Sequence, residues 1–293
     1  MNYYSFNDYC RDTFGEKVYK VSINAGFTCP NRDGTLDSRG CIFCSAKGSG
    51  DFAQSSLLSV TEQIEKGKER VSSKIGPNGK YIAYFQSFTN TYAPVDTLRS
   101  LYTEALNHPD IVALSIATRP DCLSKEVLDL LSECNKIKPV WVELGLQTIH
   151  EKTAEYIRRC YPLSVYDEAV NALRERNLYT IVHVILGLPG ESGEDILKTV
   201  DYVGKSKVGG IKLQLLHVLR NTDLAADYAA GKFKCLSLEE YADLVADCIA
   251  ILPSDLVIHR ITGDGDKKLL IAPLWSADKK HVLNTLKKVI SER

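Results

Sequence analysis

The order of apolar and polar positions along the chain divides it into alternating short and long segments. Continuous apolar, β-branched runs of six to eight residues recur at Val18–Ile23, Tyr81–Gln86, Ile111–Ala117, Val140–Leu146, Tyr179–Leu186 and Gly210–Leu216. Runs of that length with no alternating polar face read as strands covered on both sides. Between them lie stretches of helical period: Thr61–Ser73, with Thr61 as the N-cap, then Val95–Asn107, Ser124–Asn135, His150–Ile157, Ser164–Arg176 and Gly193–Lys205. Strand–helix alternation at this spacing predicts six parallel strands joined by crossover helices, an α/β class. Pro77, Asn78 and Gly79 turn the chain into the second strand. Ahead of the first strand, Met1–Lys17 is polar and aromatic and predicts a short helix packed on the body. Beyond Asn221 the alternation fades. Ser237-Leu-Glu-Glu240 is a capping box opening a helix Leu238–Leu252, Val257–Arg260 is a short strand, Thr262–Asp266 a tight polar loop, and Asp278–Ile290 a closing amphipathic helix.

Six parallel strands fit either an open doubly wound sheet or an incomplete barrel. No Gly-x-Gly-x-x-Gly follows the first strand, which weakens a dinucleotide fold. Polar clusters recur just past the strand C-termini, at Gln86–Asn90, Thr118–Asp121, Gly145–Thr148, Gly187–Glu191 and His217–Asn221. In a barrel these ends converge on one face and build one site. The expected organisation is an N-terminal extension over residues 1–17, a partial barrel over 18–221 and a C-terminal extension over 222–293 covering the barrel opening.

Composition narrows the picture only a little. Of 293 residues, 44% are hydrophobic and 25% charged, and the formal net charge is −1. A nucleic-acid partner must therefore be held by a local basic patch. Lysines and arginines gather at Lys66, Lys68, Arg70 and Lys74, at Lys267 and Lys268, and at Lys279, Lys280, Lys287 and Lys288. No apolar stretch reaches membrane-spanning length. Nine cysteines without an export signal point to a reducing compartment and a cytoplasmic location.

Three of those cysteines carry the chemistry. Cys29, Cys41 and Cys44 share one loop after the first strand, punctuated by Gly26, Pro30, Gly34 and Gly40. Three thiolates are one short of a complete four-sulfur shell, and a cubane held by three cysteines leaves one iron open to a small molecule. Structural zinc is the competitor. It takes four ligands, and Cys10 is the available fourth sulfur, since the first histidine is His108. Cys122, Cys134, Cys160, Cys235 and Cys248 lack paired spacing and read as small core or helix residues.

The cysteine loop, with Phe43 just before Cys44 and parallel strands behind it, resembles the radical S-adenosylmethionine (SAM) superfamily. Eleven residues separate Cys29 from Cys41. That long gap, with Ala117-Thr-Arg-Pro-Asp121, Val142-Glu-Leu-Gly-Leu-Gln147 and His183-Val-Ile-Leu-Gly-Leu-Pro-Gly190, resembles the branch containing the catalytic subunit of Elongator. Ala25-Gly-Phe-Thr-Cys-Pro-Asn-Arg-Asp-Gly-Thr35, Phe88-Thr-Asn-Thr-Tyr-Ala-Pro94 and Ile258-His-Arg-Ile-Thr-Gly-Asp264 are similar to the YhcC/YtqA-like (MnmL) group. Two stretches depart from the branch: Ala117 stands in place of a Glu, and Arg159-Cys160-Tyr161 in place of Arg-Gly-His.

The resemblance implies an incomplete (β/α)6 TIM-like barrel with N-terminal and C-terminal extensions. It implies a [4Fe-4S] cluster on Cys29, Cys41 and Cys44 whose open iron binds SAM. Reductive cleavage of SAM gives methionine and a 5′-deoxyadenosyl radical that takes hydrogen from the substrate. Phe43 is then expected near the adenine, Ser87 and Thr89 near the SAM amino group, and Gln147 and Arg159 near its ribose and carboxylate. Leu186–Gly187 and His217–Val218 are expected to flank the adenine, and Glu143 reads as a buried structural carboxylate within the barrel. His259, Arg260, Thr262 and Asp264 are placed on the substrate side. The implied substrate is tRNA, at the wobble uridine, on the route from 5-carboxymethylaminomethyl to 5-aminomethyl forms. The implied electron donor is a flavodoxin or ferredoxin. A small-metabolite substrate and a zinc-stabilised binding protein are the rival readings.

Overall fold

The structure is a computed structural model that describes residues 3–48, 53–75, 79–263 and 265–293. In chain order the elements are α1 (Phe6–Phe14), β1 (Tyr19–Ile23), α2 (Val60–Val71), β2 (Tyr81–Phe85), α3 (Val95–Asn107), β3 (Ile111–Thr118), α4 (Lys125–Asn135), β4 (Val140–Gln147), α5 (Glu151–Tyr156), α6 (Leu163–Glu175), β5 (Tyr179–Leu186), α7 (Gly193–Lys205), β6 (Gly210–Leu215), β7 (Val218–Leu219), α8 (Asp223–Ala229), α9 (Leu238–Ile251), β8 (Val257–Arg260), β9 (Leu270–Ala272) and α10 (Lys279–Glu292). No helix among the described residues is long and apolar enough to cross a membrane.

β1 to β6 pair in sequence order, all parallel, as the strand–helix alternation predicts. A seventh strand, β8, adds in parallel beside β6. The sequence reads that segment only as a short strand of the C-terminal extension, whereas it continues the sheet past residue 221. β7 and β9 form a separate antiparallel pair that ties the C-terminal part to the rim. The N-cap of α2 is Ser59, not Thr61, because Ser59 and Glu62 satisfy each other in a reciprocal capping box.

The sheet is curled. Lys20 on β1 reaches Glu143 on β4 at 2.6 Å, although three strand spacings in a flat sheet would hold them roughly 14 Å apart. Lys212 on β6 likewise reaches the Tyr84 hydroxyl on β2 at 3.3 Å. The seven strands thus wrap into an open half-barrel.

Period-2 alternation decides which side chains face in. On β4, Val140, Val142, Leu144 and Leu146 join the large apolar core beneath the helices, while Trp141, Glu143 and Gly145 point to the interior. The interior is layered. At the N-terminal ends of the strands, Val18, Ile82, Ala113, Trp141 and Ile181 form an apolar floor. α1 closes it with Cys10 fully buried and Phe6, Tyr9 and Phe14 against Trp141. α1 is held there by a bridge between Ser5 and Ile258 and by the Ile258 N–H donating to the Tyr4 carbonyl at 2.9 Å. Above the floor lies a polar layer of Lys20, Tyr84, Ser115, Glu143, His183 and Lys212. Above that the strand C-termini open on the cysteine loop.

Candidate active site

The cysteine loop is braced from within. Arg32 folds back so that its Nη2 donates to the carbonyls of Cys44 (2.9 Å) and Ser45 (2.7 Å), with its guanidinium 5.3 Å from the Phe88 ring centroid. Gly40, at φ +76, leaves the room this needs: a Cβ there would stand 2.9 Å from Arg32 Nε. Asn31, fully buried, donates to the Arg158 carbonyl at 2.7 Å and lies 3.6 Å from Cys41 Sγ. Neither Asn31 nor Arg32 stands out in the sequence as a site residue; only the tightness of the turn hints at a brace.

Cys29, Cys41 and Cys44 line one cavity of about 150 Å³ at the strand C-termini. Burial, with Cys44 beside it, pushes the Cys41 thiol up to about 12, so it needs a cationic ligand to ionise at neutral pH. Zinc held by thiolates at about 2.3 Å would bring the sulfurs within roughly 4 Å of each other. Among the described residues, the trio of potential ligands lying within 4.8 Å of one another is Glu65, His108 and Asp110, and Lys68 already bridges its carboxylates. The three thiols do not form such a group among the described residues. Cys10, the fourth sulfur of the zinc reading, sits in the apolar floor under α1, at the opposite end of the barrel.

The polar ends of the strands meet in the same cavity. After β2, Ser87 and Phe88 take positive φ (85° and 60°), and the Asn90 side chain pins the turn by donating to the carbonyls of Ser87 and Ala117. Ser87 and Thr89 both line the cavity. At the end of β4, Gln147 has φ +71 and a buried Oε1 with no hydrogen-bond partner. Arg119, absent from the sequence expectations, lines the wall beside it, held by Asp121 through two hydrogen bonds of 2.8 and 2.6 Å. Arg159 also reaches the wall, yet its donors are committed within the protein. Nε bonds the Tyr161 carbonyl, Nη1 the Thr148 carbonyl, and Nη2 both oxygens of Glu151. It shapes the wall rather than presenting a free fork.

A second cavity of about 270 Å³ opens beside the first, toward β1, β6 and β8. The two share Phe43, Cys44, Gly48, Tyr84, Gln86 and His183, so a molecule in either meets its neighbour across those side chains. His217 and Arg260 line the second cavity. Val218 does not: it is fully buried in an apolar cluster with Ile42, Ile185 and Leu216, against which Phe43 packs. Gly187, at φ +89, lines neither cavity and faces Leu236.

The substrate-side expectations divide. Arg260 lines the second cavity. His259 does not. Its ring packs with Phe6 at 5.1 Å, Trp141 at 5.8 Å and Tyr179 at 5.9 Å in the floor of the barrel, because a bulge in β8 leaves it facing the N-terminal end. Thr262 is buried and lines neither cavity. Asp264 lies outside the described residues.

Beneath both cavities, Glu143 is the hub of the polar layer. Its carboxylate accepts from Lys20 at 2.6 Å, Ser115 at 2.5 Å and His183 at 2.6 Å, and from Lys212. Burial is the largest influence and opposes its ionisation, but Lys20, Lys212 and the hydrogen bond from His183 together hold the carboxyl well below its usual range. Burial, with Lys212 nearby, pushes the His183 imidazole down to about 4, so it is neutral at pH 7.

A family model described as the Radical SAM superfamily matches residues 28–203, spanning the cysteine loop and the strands behind it, and one for the Radical_SAM C-terminal domain matches residues 208–292. The chain belongs to the radical SAM superfamily. Its cofactors are those of radical SAM enzymes, a [4Fe-4S] cluster and SAM. It is 46% identical over 291 residues to YtqA of Bacillus subtilis (strain 168), covering 99% of this chain and 90% of YtqA. It is 29% identical over 157 residues to the tRNA uridine(34) acetyltransferase of Methanocaldococcus jannaschii, covering 52% of this chain and 28% of that protein. The structure of the archaeal Methanocaldococcus infernus Elp3 with an N-terminal deletion shares the fold, at a TM-score of 0.66 and 18% identity over 91% of this chain and 63% of that one. The residues present suit a radical SAM site: three thiols in one cavity, an amide beside Cys41 Sγ, and Gln147 in the cavity lining with a buried, unpartnered Oε1.

Proposed function

We propose that this radical SAM enzyme modifies tRNA at the wobble uridine, on the step from 5-carboxymethylaminomethyl to 5-aminomethyl forms. One observation carries the reading: the thiol-lined cavity continues into a second, open cavity whose lining holds Lys20 and Arg260. That arrangement suits a base entering from the barrel mouth next to a bound SAM. The kinship to a tRNA uridine(34) acetyltransferase supports the choice of tRNA. Lys267 and Lys268, exposed just after cavity-lining Gly265, are placed to meet phosphates at the mouth.

When bound, the cluster and SAM supply reductive cleavage and hydrogen abstraction, with electrons from a flavodoxin or ferredoxin. The chain does the rest. Cys29, Cys41 and Cys44 hold iron, and Phe43, seated on Ile42, Ile185 and Val218, presents its ring to both cavities. Ser87 and Thr89 meet the SAM amino group, Gln147 Oε1 accepts from the ribose, and Arg119 and Arg159 build the positive wall. His217, in the lining of the second cavity, borders the adenine side. His183, neutral and fixed by Glu143, separates the two molecules while excluding water. The cytoplasm, where tRNA is modified, is the place of action.

The test is direct. Bulk tRNA from a strain lacking this protein should accumulate the carboxylate-bearing wobble nucleoside, and anaerobic incubation with purified protein, SAM and reductant should convert it while releasing 5′-deoxyadenosine. An unchanged nucleoside profile, with deoxyadenosine yield indifferent to added tRNA, sinks the tRNA assignment and favours a small metabolite.

A further inference from the structure

We propose that Arg260, with Lys20 opposite, forms an anion subsite in the second cavity that grips a carboxylate on the substrate base. The proposal rests on the tRNA reading above for the identity of the base.

Backbone register comes first. β8 pairs Val257 with Gly210 and Ile258 with Ile211, then skips to pair Arg260 with Lys212. Ile258 lies in the outer core under the helices, and unbroken alternation would send Arg260 to that same outer side. The extra residue, His259, is absorbed as a bulge, which turns Arg260 to the inside with Lys212. Gly210 makes this possible: a Cβ there would stand 2.4 Å from His259 Cδ2. The sheet thus breaks its own register to put a guanidinium in the cavity.

Charge comes second. Among the described residues, no hydrogen bond or ion pair satisfies Arg260, which is only partly buried and lines the cavity. Among them, too, no Asp or Glu lines that cavity. Glu143 lies behind it, already shared by Lys20 and Lys212. Arg260 stands close enough to Lys20 to disfavour the Lys20 charge. Arg260, with no carboxylate in the cavity lining, and Lys20, whose ion-pair partner Glu143 is shared with Lys212 behind the cavity, make a site for an anion, and the planar guanidinium fork suits a carboxylate.

Size separates a carboxylate from a backbone phosphate. The cavity, about 270 Å³, has apolar walls at Tyr84, Ile185 and Leu215 inside the barrel. A base with a short side chain enters such a space, whereas a phosphodiester brings a ribose on either side.

The experiment compares two tRNAs that differ only in whether the C5 side chain of the wobble uridine ends in a carboxylate or an amine, and the corresponding two free nucleosides. Affinities are measured for the cluster-loaded wild type, Arg260→Gln and Arg260→Lys. The wild type should prefer the carboxylate form about tenfold or more. Arg260→Gln should bring the two affinities within about twofold without weakening the amine form, and Arg260→Lys should keep part of the preference. Equal weakening toward both tRNAs would mean a phosphate contact and overturn the subsite, as would a preference that survives Arg260→Gln or is absent from the wild type. A wild type that prefers the carboxylate nucleoside but binds neither tRNA keeps the subsite and removes the tRNA reading.

Discussion

Replacing Glu143 by Gln should cost this protein about 3 kcal/mol of stability, a figure that follows from the geometry of the polar layer. Four donors converge on the carboxylate, two of them lysine ammonium groups. A Gln in the same place keeps one acceptor oxygen and turns an NH2 toward donors that the second oxygen served. Breaking a buried ion pair from one side costs about 3–5 kcal/mol. The two lysines share that penalty unequally: the Lys212 side chain is 3% exposed, the Lys20 side chain 18% and beside the second cavity. Lys20 can turn to water and Lys212 cannot, which sets the expected loss near the lower bound. At the usual dependence this is roughly 6–12 °C in Tm. Denaturant titration of cluster-free protein measures it. A second variant, Glu143→Leu with Lys212→Met, removes both charges together and should lie within about 1 kcal/mol of the wild type. A Glu143→Gln protein as stable as the wild type would refute the reasoning, since Lys212 would then have no charge in need of a partner.

Three further outcomes are expected. Cys29→Ala, Cys41→Ala and Cys44→Ala should each lose the cluster, while Cys10→Ala and Cys248→Ala keep it; iron and sulfide content of anaerobically reconstituted protein reads this, and full iron in any of the first three contradicts the ligand set. Gln147→Ala should weaken SAM binding roughly tenfold at unchanged iron content, because it deletes the buried, unpartnered Oε1 of the cavity wall; equilibrium dialysis with SAM would show it, and unaltered affinity would mean that Gln147 makes no contact with SAM. His183, with its pKa lowered to about 4 from 6.5, binds a proton more weakly folded than unfolded, so its contribution to stability is present above pH 6.5 and lost as pH falls from 6.5 toward 4; His183→Gln should flatten that part of the stability–pH curve, and an unchanged slope would assign the acid sensitivity to other groups.

Much of the fold is legible in the sequence because the strands are buried on both faces, so their apolar runs are unbroken and their caps sharp. α3 and α7 end where the periodicity ends, and Ser237 opens α9 through the expected capping box. The ligand loop is equally plain, since three thiols within sixteen residues have few other uses. What escapes is non-local. β8 is four residues long, and nothing in Val257–Arg260 tells that it pairs with β6 across the excursion through α8 and α9. The bulge that separates the fates of His259 and Arg260 depends on Gly210 in the neighbouring strand, so adjacent residues that look alike in sequence end in different layers. The polar layer is hidden for the same reason. Lys20, Glu143, His183 and Lys212 are isolated polar positions in separate strands until curling of the sheet brings them together. α8 is too short, at seven residues, for its period to be read.

The seating of α1 has a consequence for the order in which the molecule assembles. Its aromatic face covers Trp141 and Tyr179, and its entry is fixed by Ile258, about 250 residues further along the chain. A growing chain makes this helix before β1 to β6 and its docking strand after them. Until β8 emerges and pairs with β6, Phe6, Tyr9 and Phe14 have only part of their cover, and the barrel floor is open at one end. Closing so long a loop is entropically slow but adds little to the final free energy, because its cost grows only with the logarithm of length. The first helix thus acts as a latch that drops when the seventh strand is in place, making completion of the sheet, rather than synthesis of its first βα units, the event that locks the interior against water.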